Sequence, residues 1–259
     1  MFAISARTRA QTVTNTAATL GVPLPPDYLE RVDQAEAFTE AANQTVCTKE
    51  NLHAAVLAAI EEGREYQADP KIQRLALNCQ LTSLNTLAAA RVRSEELILA
   101  ALTDHADDIL DGWADALDEH SANLVAAANA GLNLKDATGA VARGGATMTH
   151  LHNAQIAVKA WAAAEHGFHT LAAVSGIRVN VTGTVALTPA RLAELAPAYE
   201  LARDERTRDI DVWILARCGI PLELATLDEF KERAAQLKAD TEAEARDHAA
   251  RANAAGLSQ

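Results

Sequence analysis

Leu99-Ala-Ala-Leu-Thr-Asp-His-Ala-Asp-Asp-Ile-Leu-Asp-Gly-Trp-Ala-Asp-Ala-Leu117 decides the fold class. Its apolar residues Leu99, Leu102, Ala106, Ile109, Leu110, Trp113 and Leu117 mostly recur at helical steps of three and four. That spacing puts them on one side of a 3.6-residue helix. Asp104, Asp108, Asp111, Asp115 and Asp118 follow the opposite side. Upstream, Leu77, Leu81, Leu84 and Ala88 repeat the apolar pattern, and the phase slips between Arg91 and Glu96, which predicts a kink or stutter there. After Pro70 no proline occurs until Pro189, so residues 69–132 read as one long amphipathic helix or two nearly continuous ones. At 1.5 Å per residue, about sixty residues would span roughly 90 Å. Gly112 weakens such a helix by roughly 1 kcal/mol relative to alanine without ending it. A rod of that length needs partners along its whole length.

The same stretch has one-sided charge. No lysine or arginine lies between Arg93 and Lys135, while Glu95, Glu96, Asp107, Glu119 and the five aspartates do. A solvated outer face is the ordinary reading of such a pattern. The sharper one is an acidic track for polar contact with a basic partner. Calcium sites need oxygens converging from a loop, which a straight stripe does not supply, so no metal is assigned to it.

Composition narrows the class of protein. Alanine supplies roughly a fifth of the residues and aromatics only 4%, a mix that favours helix and a core of Leu, Ala, Val and Ile. Alanine seams bring helices close but bury little area per contact, which calls for extended interfaces. A net charge of −12 and the lack of any lysine- or arginine-rich block make nucleic acid an unlikely partner. Cys47, Cys79 and Cys218 lie far apart and are odd in number, which fits reduced thiols in a cytoplasmic protein or a larger soluble assembly. No apolar run reaches the length of a membrane span.

Taken in order, residues 5–20 predict a threonine-rich helix ended by Gly21. Val22-Pro-Leu-Pro-Pro26 is a stiff connector, after which Asp27 caps a helix to about Gln44. Thr48 caps another to about Ala68, and Asp69-Pro70 opens the long element. The glycine-bearing segment 136–146 is a loop that lets a second helix, from Thr147 to Val174, fold back antiparallel with Trp161 and Phe168 on its apolar face. That helix can cover only the C-terminal half of the rod. The half around Leu75 to Ala101 must be covered by earlier helices or by another subunit. Ile177, Val179 and Val181 alternate with polar residues, so Gly183 predicts a small β-hairpin with 184–187. Thr188-Pro189 caps a helix interrupted near Pro197. Thr226-Leu-Asp-Glu229 is a capping box for a last helix running toward Ala255.

Few residues suggest chemistry. His166 and His169 have helical ligand spacing, as do Glu165 and His169, and Glu50-Asn-Leu-His53 is a single ExxH. A carboxylate-bridged bundle needs a second such pair, which the chain lacks. Gly139, Arg143, Gly144, Gly145 and Thr147 precede a helix N-terminus but do not form a phosphate loop. Segment 211–230 has the outline of a helix-turn-helix around Gly219, with Glu223, Asp228 and Glu229 where DNA contact wants donors.

The expected architecture is therefore mainly α: an N-terminal helical arm over 1–69, a long antiparallel helical hairpin over 70–176, and a small α+β region over 177–259. The expected role is non-enzymatic, a self-associating structural or assembly protein of the kind found among virion components and their assembly factors, with homo-oligomer and other protein chains as partners and no cofactor. Leu77, Leu81, Leu84, Trp161 and Phe168 would pack the interface, with the aspartate stripe for polar contact. A metal-binding helical-bundle enzyme and a helix-turn-helix regulator are the alternatives.

Overall fold

Local helix signals in this chain act where the sequence puts them. The Thr48 hydroxyl accepts the Asn51 N–H, and helix α3 runs Lys49–Glu61. Asp69 accepts the Lys71 N–H with Pro70 in the first turn, opening α4 at Pro70–Ser83. Thr226 and Glu229 cap each other's backbone N–H groups at 2.9 and 3.2 Å, and the last helix follows over Leu227–Gly256. Gly21 and Gly176 adopt φ of 70° and 73° at helix ends, a left-handed turn that an L side chain resists. Two caps differ from expectation, and one is Thr188, because the helix after it starts at Leu192 with Arg191 at its N-cap. At the other, Pro25 rather than Asp27 occupies the N-cap of α2, Pro26–Asn43, and Asp27 sits in its first turn.

The computed structural model describes residues 4–179, 183–207 and 209–256. These residues form eleven α-helices and no β-strand. Besides those above they are α1 (Ala6–Leu20), α5 (Thr86–Asp104), α6 (Ala106–Asn129), α7 (Ala137–Arg143), α8 (Gly145–Val174), α9 (Leu192–Asp204) and α10 (Val212–Arg217), with Leu227–Gly256 as α11. The chain divides into two compact units: residues 1–10 with 25–102, and residues 11–24 with 103–259.

The β-hairpin expected over 177–187 is corrected. Residues 180–182 lie outside the described residues, and Gly183–Ala186 is a 3-10 turn with Val185 and Ala186 buried. In place of a ladder, Glu223 N–H donates to the Leu187 carbonyl and Ala225 N–H to that of Ala186, both at 2.9 Å. Residues 69–132 are likewise three helices, not one or two. Asn85 closes α4 with φ of 62°, a conformation asparagine tolerates, and His105 separates α5 from α6. Helices of 14, 19 and 24 residues replace the rod, about 21, 29 and 36 Å long. The kink expected at 91–96 falls inside unbroken α5. Pro197 lies within α9 without ending it.

In unit two, α6 pairs with α8. Leu110, Trp113, Leu117 and Leu124 of α6 and Leu151, Trp161, Phe168 and Leu171 of α8 are all buried. Small residues make the close approach work. A Cβ on Gly167 would run into the six-membered ring of Trp113 and lie 3.0 Å from Thr16 Oγ1. Trp113 stands near the start of α6 and Gly167 near the end of α8. At the other end, Gln155 donates to the Leu134 carbonyl at 2.9 Å, so the two helices run in opposite directions. The Thr16 hydroxyl donates to the Ala163 carbonyl at 3.2 Å and fixes the second half of α1 on α8. Phe168 and Phe230 meet with ring centroids 5.2 Å apart, bringing α11 onto the same core.

Unit one is held by fewer and smaller contacts. The Glu95 carboxylate accepts the Ala6 N–H at 2.6 Å, satisfying a first-turn amide of α1. Buried Ser94 donates to the Ala35 carbonyl at 2.7 Å, tying α5 to α2. Among its large apolar side chains Tyr28, Ile72, Ile98 and Leu102 are buried, and the remaining buried apolar positions are alanines and Cys47. Burial pushes the Tyr28 phenol up to about 12.

Candidate functional site

The five residues expected to pack an interface separate cleanly. Trp161 and Phe168 are wholly buried in unit two, so the chain's own helices cover them and they pack its core. Leu77 and Leu84 are 54% and 70% exposed and Leu81 is half-buried, all in unit one. The earlier helices do not cover this part of α4. Leu57 and Ile60 of α3 and Val92 of α5 are also exposed. Unit one therefore leaves large apolar side chains of α3, α4 and α5 exposed.

The aspartate stripe is exposed at all five positions, Asp104, Asp108, Asp111, Asp115 and Asp118. Burial first, then Asp107, Glu229, Asp108 and Asp115, hold the Asp111 carboxyl above its usual range. The neighbouring Asp107 has a defined structural role that the periodicity did not reveal: it accepts the Leu227 N–H at 2.7 Å and anchors the start of α11 on α6.

The histidines do not converge. His169 approaches Glu165 at 3.9 Å, while His166 is exposed. Glu50 and His53 are both exposed on α3. Among the described residues no group of three or more His, Cys, Asp and Glu side chains is arranged to hold a metal ion. The helix-turn-helix outline is also revised. Its first helix, α10, has six residues, and the stretch before Leu227 is non-helical. The glycine segment contains α7, capped by Asp136 through the Gly139 N–H, and Gly144 with φ of 103° leads into α8.

Sequence reasoning missed a cleft of about 1010 Å³ in unit two. Leu132, Val158, Trp213 and Ile214 give it an apolar floor, and Lys135, Lys159 and Arg217 line it with cations. Arg217 is engaged by Glu205, and Asp211 is occupied in capping α10 through the Ile214 N–H at 2.8 Å. Lys135 and Lys159 have no acidic partner among the described residues. Asn133, Gln155 and Thr207 add neutral polar groups to the lining. Trp213 was visible in the sequence, but its convergence with Lys135 and Lys159, 78 and 54 residues earlier, is a tertiary fact.

Comparison with protein-family models, with curated proteins and with solved structures yields no match in any of the three. Among the described residues no helix is long and apolar enough to cross a membrane.

Proposed function

We propose that this chain is a non-enzymatic assembly component that associates with further copies of itself through unit one. The observation that supports this reading is the exposure of Leu57, Ile60, Leu77, Leu84 and Val92 across three successive helices. Leaving five such side chains in water forfeits burial worth on the order of 1.5–3 kcal/mol each when complete. A second copy is the natural occupant because the surface is apolar and carries its own complement under two-fold symmetry. The antiparallel long-hairpin reading belongs here in reduced form. The α6–α8 pair, with Trp113, Trp161 and Phe168 buried, serves as the scaffold, while the shorter α3–α5 helices do the joining.

Net charge of −12 opposes such association at low ionic strength. Salt screens that repulsion, so self-association strengthens as salt rises, the reverse of a contact made by opposite charges. Sedimentation velocity on the full chain at micromolar concentration tests this. The expected mass lies well above 27.5 kDa, grows with ionic strength, and returns to the single-chain value when Leu77→Asp and Leu84→Asp are combined. A 27.5 kDa species at every concentration, or a mass indifferent to the double substitution, would overturn the proposal.

A further inference from the structure

The sequence keeps its three cysteines apart, yet unit one brings two of them together. Cys79 Sγ donates to Cys47 Sγ at 2.9 Å. Both thiols also reach one acceptor, the Thr48 carbonyl, at 3.4 Å from Cys47 and 3.2 Å from Cys79. The pair is held by more than its own contact. Cys47 N–H donates to Thr82 Oγ1 at 3.1 Å, and the Thr82 hydroxyl reaches the Thr45 carbonyl at 3.4 Å. Thr82 lies almost one turn beyond Cys79 on α4, so one helix face grips the turn and presents the second sulfur. Next along the chain, Thr48 caps α3 and fixes the other side of the turn. Cys218 belongs to unit two and takes no part.

We propose that Cys47 and Cys79 form a dithiol–disulfide couple, a modification site at which a small-molecule disulfide staples the turn before α3 to α4. The sulfurs stand 2.9 Å apart against about 2.05 Å in a disulfide, so closure needs a shift of less than about 1 Å. Cys79, the more exposed of the two, loses its proton and attacks one sulfur of the reagent. The reagent's S–S bond breaks and one thiolate leaves, taking up a proton. Cys47 then loses its proton to solvent and attacks the Cys79 sulfur of the mixed disulfide, releasing the second small thiol. Two protein S–H bonds and one reagent S–S bond are replaced by one protein S–S bond and two reagent S–H bonds. The two electrons pass from the protein sulfurs to the reagent. The hydrogen bond to Cys47, then burial, push the Cys79 thiol up to about 11. The first attack therefore quickens as pH rises toward that value.

The test uses the folded full-length chain incubated with glutathione disulfide at mildly alkaline pH, followed by thiol titration, intact mass and a non-reducing peptide map. The free-thiol count drops from three to the single Cys218, the mass falls by two hydrogens, and one cross-linked peptide joins Cys47 to Cys79. Cys47→Ser stops the reaction at a glutathione adduct on Cys79, and Cys218→Ser leaves closure unchanged. Closure quickens with pH, and Thr82→Val slows it. A lasting glutathione adduct on wild-type Cys79, or a disulfide that recruits Cys218, would overturn the assignment. So would three thiols that react only after denaturation.

Discussion

In unit two, Trp113, Trp161, Phe168 and Phe230 are 2% exposed or less, whereas in unit one Leu57, Leu77, Leu84 and Val92 are each more than half exposed. Both units are helical and both are rich in alanine, so propensity does not separate them. Placement of the small residues does. On α8, Ala154, Ala157, Ala164 and Gly167 are buried along with Trp161, Phe168 and Leu171, and the Trp113 ring of α6 fills the space at Gly167. In unit one the order is inverted. Ala35, Ala59 and Ala90 are buried while larger neighbours face out. Helices meeting on alanine alone approach closely yet remove little apolar area from water. Unit two buries its largest aromatic side chains, and unit one leaves several large aliphatic ones exposed.

The steepest way to break this contrast is to truncate one residue from each side. Trp161→Ala should cost about 3–5 kcal/mol in denaturant unfolding, and Leu84→Ala should stay within about 0.5 kcal/mol for the lone chain. Comparable costs at the two sites would abolish the distinction. Two glycines sharpen it further. At Gly112 an added Cβ meets Val22 at an ordinary 3.6 Å, so Gly112→Ala should stabilise by up to about 1 kcal/mol. At Gly167 the added Cβ strikes the Trp113 ring. Overpacking of about 1–3 kcal/mol there exceeds the same propensity gain, and Gly167→Ala should destabilise. Matching signs in thermal unfolding would contradict the tight α6–α8 seam.

Acid provides the smallest and most selective separation. Burial holds the Glu165 carboxyl of unit two above its usual range, against the pull of His169 and with Asp209 and Asp211 adding to it. The folded state then binds the proton more tightly, so this group's stabilisation is complete at low pH and is lost as pH rises through the raised value. In unit one the Lys71 N–H, and after it Arg64, hold Asp69 below the usual carboxylate range. Its contribution is complete above that range and is lost as pH falls through the lowered value. Unfolding midpoints measured against pH should show Glu165→Gln removing a decline toward neutrality and Asp69→Asn removing a decline toward acid. Slopes of the same sign would remove this difference.

What could be read beforehand was what is local. Thr48, Asp69 with Pro70, the Thr226–Glu229 pair, Gly21 and Gly176 each act within a few residues, and each sits where its chemistry predicts. The α5 face was misread for a specific reason. Its buried positions are Ala90, Ser94, Ile98, Ala101 and Leu102, and Ser94 is buried because its hydroxyl serves the Ala35 carbonyl. A scan for apolar residues skips it and finds a phase slip where the helix is regular. Asn85 and His105 break the rod without proline or glycine, so composition gave no warning. The cleft lysines and the Cys47–Cys79 contact join residues from separate helices, which periodicity along one helix does not encode.

All three tryptophans, Trp113, Trp161 and Trp213, fall in unit two, and unit one contains none. The molecule thus carries its own optical label on one unit alone. Indole emission follows the α6–α8 core, with Trp213 as its half-shielded member, while far-ultraviolet ellipticity sums the helices of both. Superimposable traces from the two signals would mean that the units melt as one body, and a gap between them would time the loosening of the tryptophan-free part.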